Sequence, residues 1–129
     1  MIQQVNGKKY LINGGLGMIG STIATILVKA GAEVTIVDAM IKPFGANLFN
    51  IEKIKDQVKI RTFDIKSIKD MKKEIKNKDV ILNLAGQIAH NDSITNPAYD
   101  AKLNYLYQLN IMECIKQVNP NAKVIFSGS

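Results

Sequence analysis

The sequence predicts an α/β protein built on a doubly wound parallel sheet. Two observations point there. Short β-branched runs alternate with stretches of helical periodicity, and the runs are too apolar for a sheet with one wet face. A glycine-rich turn also joins the first run to the first helical stretch. With 129 residues the chain is expected to form one domain, residues 1–129, and its 47% hydrophobic content suffices for a core.

The elements follow in order. "KYLIN" (9–13) reads as the first strand. "MIGSTIATILVKAG" reads as a helix with Ile19, Ile23, Ile26 and Leu27 on one face, closed by Gly31 at the C-cap. "EVTIVD" (33–38) is the second strand, a short helix is expected from Leu48 to Ile54, and "VKIRTF" (58–63) is the third strand. Ser67 and Asp70 form an acidic variant of a capping box. They open a Lys-rich helix with Ile68, Met71 and Ile75 on its apolar face. "DVILNLA" (79–85) is the fourth strand, a long helix runs from about Tyr99 to Val118, and Asn119-Pro120 stops it. "KVIFSG" is the fifth strand. The order βαβ(α)βαβαβ implies strand order 3-2-1-4-5 with helices on both faces.

Between the first strand and helix lies "NGGLGMIG", with Gly14, Gly17 and Gly20 spaced as GxxGxxG. Gly14 allows a sharp turn, Gly17 a close approach of backbone to a pyrophosphate, and Gly20 tight packing of helix on sheet. The helix N-terminus, beginning at Met18 and Ile19, offers unpaired N–H groups to phosphates. Asp38 ends the second strand, 18 residues past Gly20. Its carboxylate can accept from both hydroxyls of an adenosine ribose and repels a 2′-phosphate, which selects NAD over NADP. Asp38 has a second reading as the cap of a turn. The pattern is that of a Rossmann-type dinucleotide-binding domain.

These residues resemble the extended short-chain dehydrogenase/reductases, the NAD-dependent epimerase/dehydratase group that includes UDP-glucose 4-epimerase and the nucleotide-sugar dehydratases. The resemblance covers essentially the whole chain. It implies an adenine-holding pair at Asp64 and Ile65 in "FDI", and a cofactor-facing segment at Leu84, Ala85 and Gly86 in "NLAGQ". It also implies an adenosine contact at Asn47 in "GANLFNI" and the family's helix asparagine at Asn104. Gly86 stands where many members carry a second Ala, and "AGQIAH" replaces a more apolar continuation, which indicates a sub-branch.

The family's mechanism uses a serine just after the fifth strand and a Tyr followed four residues later by Lys. Ser129 is the best match to the serine and Ser127 the next. Tyr10, Tyr99, Tyr105 and Tyr107 lead instead to Gly14, Leu103, Leu109 and Ile111. General-base catalysis, worth on the order of 10² to 10⁴ in rate, therefore has no carrier in this sequence. The resemblance implies the N-terminal, NAD-binding portion of a nucleotide-sugar enzyme whose hydride chemistry needs further residues and whose substrate lobe is absent. The other reading is a stand-alone NAD-binding regulatory or sensor module.

Other chemistry finds little support. His90, Asp92 and Ser93 are contiguous and read as a loop, not as a triad assembled in space. Cys114 reads as a buried structural thiol in a reducing, cytoplasmic setting. No Cys/His spacing suits a metal. The net charge of +6 raises nucleic acid as a partner, but the excess is lysine with Arg61 the only arginine, so a solvated helix face is expected instead. No apolar run reaches the roughly 18 to 20 residues of a membrane span.

The long helix carries two apolar stripes. One is Asn104, Tyr107, Ile111, Ile115 and Val118; the other is Tyr105, Leu109 and Met112. Such a helix is covered on both sides. The resemblance implies a homodimer through helix 99–118, and cover by a further C-terminal part is the other possibility. The fifth strand, ending the order, is expected to be an unpaired and aggregation-prone edge.

Overall fold

The computed structural model of the chain describes residues 4–42, 45–86 and 90–127, with the side chains of residues 90–92 excepted. Its strands are β1 (Lys9–Asn13), β2 (Glu33–Asp38), β3 (Val58–Thr62), β4 (Val80–Asn83) and β5 (Lys123–Phe126). They form one sheet in the order β3-β2-β1-β4-β5, parallel at every pairing. The helices are α1 (Met18–Lys29), α2 (Ile68–Ile75), α3 (His90–Thr95), α4 (Pro97–Ala101) and α5 (Tyr107–Val118).

Alternate strand residues feed two cores. Tyr10, Ile12, Val34, Ile36, Val80 and Leu82 pack with Ala24 and Leu27 of α1 and with Ile51 and Ile54. On the other face Leu11, Val37 and Ile81 pack with Met71 and Ile75 of α2 and with Ile111 and Ile115 of α5. Burial on both faces thus holds for β1, β2 and β4. It does not hold for β3 or β5, the two edges, and Ile125 and Phe126 of β5 are exposed.

The buried face of α1 differs from the one the isoleucine spacing predicts. Gly20, Ser21, Ala24 and Leu27 are buried, whereas Ile19 and Ile26 are exposed. Small residues win the interface because the helix lies close to the glycine turn. A Cβ on Gly20 would stand 2.4 Å from the Gly14 carbonyl oxygen. The helix ends as expected: Gly31 has φ +84°, its N–H donates to Val28 O, and Ala32 N–H donates to Leu27 O. This is a Schellman closure.

Three further elements depart from expectation. The helix expected at Leu48–Ile54 is a pair of 3₁₀ turns, Leu48–Ile51 and Lys55–Gln57. Ser67 does not accept from the first turn of α2. Its hydroxyl instead donates to Asp70 Oδ2 at 2.6 Å, which holds the Asp70 carboxyl below the usual carboxylate range. The backbone of His90, Asp92 and Ser93 belongs to α3 and not to a loop.

The long helix is not uniform. Between α4 and α5 lies a π turn, Lys102–Leu106. Leu103, Gln108, Ile111, Cys114 and Ile115 are buried, while Tyr105, Leu106, Leu109 and Met112 are exposed. Asn119 ends α5, and its Nδ2 donates to Ile75 O and Lys78 O, tying the helix end to the turn before β4.

Candidate dinucleotide site

The chain leaves β1 through Gly14, whose N–H donates to Val37 O at 2.8 Å. Its φ is +76°, and a Cβ there would stand 2.9 Å from Ala85 N. Folding alone therefore requires glycine at 14, as the close packing requires it at 20. Gly17 is different. Its φ is −72°, open to any L-residue, and a Cβ would meet only Gly14 O, at an ordinary 3.5 Å. No side chain caps α1, so the N–H groups of its first turn, at Met18, Ile19 and Gly20, open toward the C-terminal edge of the sheet. Gly17 is thus a bare position at the mouth of an uncapped helix.

Leu16 anchors the loop. Its side chain is buried in the first core, and its N–H donates to Asp38 Oδ2 at 3.0 Å. Its carbonyl accepts from Asn47 N at 3.2 Å and from Asn50 Nδ2 at 2.8 Å. Asp38 Oδ1 accepts from Met40 N at 2.9 Å, so the turn-capping reading of Asp38 is realised. Each carboxylate oxygen keeps a second lone pair for a ligand hydroxyl. Asn47 caps the following 3₁₀ turn through Oδ1, which accepts from Phe49 N. The sequence reading missed Leu16 and Asn50 because neither belongs to a local motif.

Beyond β3, Asp64 Oδ1 accepts from Lys66 N at 3.0 Å and Oδ2 lies 3.4 Å from Lys66 Nζ. Ile65 is buried in the second core, so its side chain serves packing. Beyond β4, Leu84 N donates to Asn13 O, and Leu84 and Ala85 turn to opposite cores. Gly86 lies under Asn104: a Cβ there would stand 3.2 Å from Asn104 Oδ1. Asn104 Nδ2 also donates to Asp100 Oδ1. Ser127 follows β5, exposed, with its N–H on Asn83 O at 3.4 Å. Ser129 lies outside the described residues.

Every candidate within the described residues therefore lies at or just beyond the C-terminal end of a strand, or on the helix over β4. Asp38 and Asn47 flank the glycine loop on the β2 side; Leu84–Gly86, Asn104 and Ser127 lie on the β4–β5 side. The order reverses between β1 and β4, and ligands of doubly wound sheets bind at such a crevice.

Beneath that crevice runs a buried amide chain that the sequence reading also missed. Asn13 Nδ2 donates to Asn83 Oδ1 at 3.4 Å, and Asn83 Nδ2 donates to Gln108 Oε1. Gln108 Nε2 donates in turn to Ala85 O at 2.8 Å and Leu103 O at 3.0 Å. A signal existed: the apolar runs "KYLIN" and "VILN" both end in asparagine.

At the opposite edge of the sheet, a cleft is lined by Lys9, Glu33, Lys59 and Lys78 among others. Lys78 Nζ donates to Thr35 Oγ1, and burial pushes its pKa down. This edge holds none of the candidate residues. Among the described residues no group of His, Cys, Asp and Glu could hold a metal ion, and no helix is long and apolar enough to cross a membrane.

Parallel order, glycine loop and acidic β2 end define a Rossmann-type α/β domain with a dinucleotide-binding pattern. The sequence pattern described as GDP-mannose 4,6 dehydratase matches residues 11–129, and the chain belongs to that family of nucleotide-sugar epimerases and dehydratases. Its relatives include a putative UDP-glucose 4-epimerase of Methanocaldococcus jannaschii, 31% identical over 92% of this chain and 37% of the relative. Among solved structures, an epimerase of Methanothermobacter thermautotrophicus matches with TM-score 0.88 and 28% identity, over 99% of this chain and 37% of that one. The UDP-N-acetylglucosamine 4-epimerase of Methanobrevibacter ruminantium, solved with UDP-N-acetylmuramic acid, matches with TM-score 0.85 and 29% identity. That match spans 96% of this chain and 38% of the epimerase. The chain thus spans little more than a third of the length of these relatives.

Proposed function

We propose that this chain binds NAD across the C-terminal edge of its sheet, as the cofactor-binding portion of a nucleotide-sugar epimerase or dehydratase. Gly17 carries the reading. No backbone angle and no protein neighbour calls for glycine there, whereas a pyrophosphate approaching the uncapped start of α1 does. Gly14, Gly17 and the N–H groups of Met18, Ile19 and Gly20 would hold the pyrophosphate. Asp38 would accept from the adenosine ribose, with Asn47 beside it and Asp64 and the backbone of Ile65 at the adenine. Leu84, Ala85, Gly86 and Asn104 would face the second ribose and the nicotinamide.

When bound, NAD supplies a hydride acceptor. In this chain Ser127 or Ser129 would orient a sugar hydroxyl; the Tyr with a Lys four residues on, which the family resemblance implies as proton acceptor, has no match among these 129 residues. The substrate class, a nucleotide sugar, is supported by family membership and by the named activities of the relatives. A homodimer through helix 99–118 is supported by the exposed stripe of Tyr105, Leu106, Leu109 and Met112. Calorimetric titration tests the cofactor: the reading expects NAD to bind and NADP to bind at least tenfold more weakly, a gap of about 1.4 kcal/mol. Equal affinities would remove Asp38 from its role, and no binding of either would overturn the reading.

A further inference from the structure

We propose that Gln108 is a positioning residue for the half of the dinucleotide that lies over β4; the inference rests on the NAD reading above. Asn13 and Asn83 are register partners at the C-terminal ends of β1 and β4, and both are buried. The amide chain runs one way, Asn13 to Asn83 to Gln108, each nitrogen donating to the next oxygen. It terminates on two backbone carbonyls in separate segments, Ala85 at the exit of β4 and Leu103 in the π turn. Both N–H groups of Gln108 are thus committed to joining those segments.

What the join holds is the pair Gly86 and Asn104. Gly86 is the next residue after Ala85, Asn104 the next after Leu103, and the two are already in near contact. A π turn departs from the regular helical ladder, and such turns recur at functional sites. Here the Gln108 side chain supplies Leu103 O with a donor. An apolar residue at 108 would leave two carbonyls and the Asn83 amide short of partners, and would free the β4 exit from the helix above it. Asp38 bonds Leu16 and Met40 and not the amide chain, and the start of α1 lies beyond Gly14, the loop residue that packs on Ala85. Its removal should therefore act on one half of the ligand.

Two ligands separate the halves: ADP probes the glycine loop and the β2 side, and NAD reaches the β4 side as well. In Gln108→Met, which keeps the length and loses the donors, the affinity for NAD should fall about tenfold more than that for ADP, the scale of one lost hydrogen bond. Without ligand, amide hydrogen exchange should rise at 84–86 and 103–107 and stay unchanged at 17–20. Gln108→Glu keeps the shape if Gln108→Met fails to fold. Burial raises its carboxyl pKa, and the protonated form regains one donor, so NAD affinity should recover in part as pH falls while ADP affinity does not. An equal loss of NAD and ADP, or local exchange unchanged in both variants, would overturn the positioning role. A wild-type chain that binds ADP and NAD equally well would also overturn it. Binding of neither ligand would overturn the NAD reading itself, and this inference with it.

Discussion

Asp38 and Leu16 are joined across the mouth of the glycine loop: the Leu16 N–H donates to Asp38 Oδ2 at 3.0 Å, 22 residues away in sequence. The residue expected to choose the cofactor is thus also a brace for the loop that receives it. Asp38→Ala removes the acceptor for Leu16 N and Met40 N together. We expect a stability loss of about 1–3 kcal/mol from the half-buried donors, read from urea unfolding. Titration should show NAD binding weakened and its advantage over NADP narrowed. Unchanged stability would mean that the brace is idle.

Gly20 and Gly17 should separate folding from binding. Gly20→Ala sets a Cβ 2.4 Å from Gly14 O and 2.7 Å from Gly15 Cα, both backbone atoms with little room to move. A cost of roughly 1–3 kcal/mol is expected. Thermal unfolding checks it, and a melting temperature equal to wild type would contradict the close packing of α1 on the loop.

The alkaline limb of stability should carry two opposed contributions. Burial lowers the Lys78 pKa from 10.5, so the unfolded chain holds that proton to higher pH than the fold does. Stability then rises as pH climbs from the folded pKa toward 10.5. Burial raises the Cys114 pKa from 9.0, so the unfolded thiol ionises first and stability falls as pH rises above 9.0. Urea midpoints across this window should lose the rising part in Lys78→Met and the falling part in Cys114→Ala. Identical pH profiles in all three proteins would rule both out.

The exposed stripe on α5 predicts self-association. Leu109→Glu combined with Met112→Glu puts two charges on a face that an α5-to-α5 dimer would bury. Sedimentation should show a concentration-dependent dimer in wild type and a monomer in the variant. Association that persists in the variant would point instead to the open edge of β5, where Ile125 and Phe126 are exposed.

Strand positions were legible because β-branched runs and a parallel order leave few arrangements, and the glycine turn because its spacing and flanks place it between β1 and α1. The buried face of α1 was not. Apolarity pointed to Ile19 and Ile26, but the tight approach at Gly20 made Gly20, Ser21 and Ala24 the contact surface. The π turn has no hydrophobic period of its own. The amide chain joins residues 70 and 25 positions apart, so only the fold brings Asn13, Asn83 and Gln108 together. For Asp38 both readings, cap and ligand acceptor, were visible in the sequence, and the structure realises the first while leaving lone pairs for the second.

The most direct test of the account is NAD titration of Gly17→Val beside wild type. The new side chain meets no protein atom closer than ordinary contact at its Cβ, and the φ of −72° suits it. The account predicts a melting temperature near that of wild type and NAD binding lost. Binding retained at wild-type strength would contradict it, because the glycine of the 14–20 loop that the fold does not need would then have no ligand to serve.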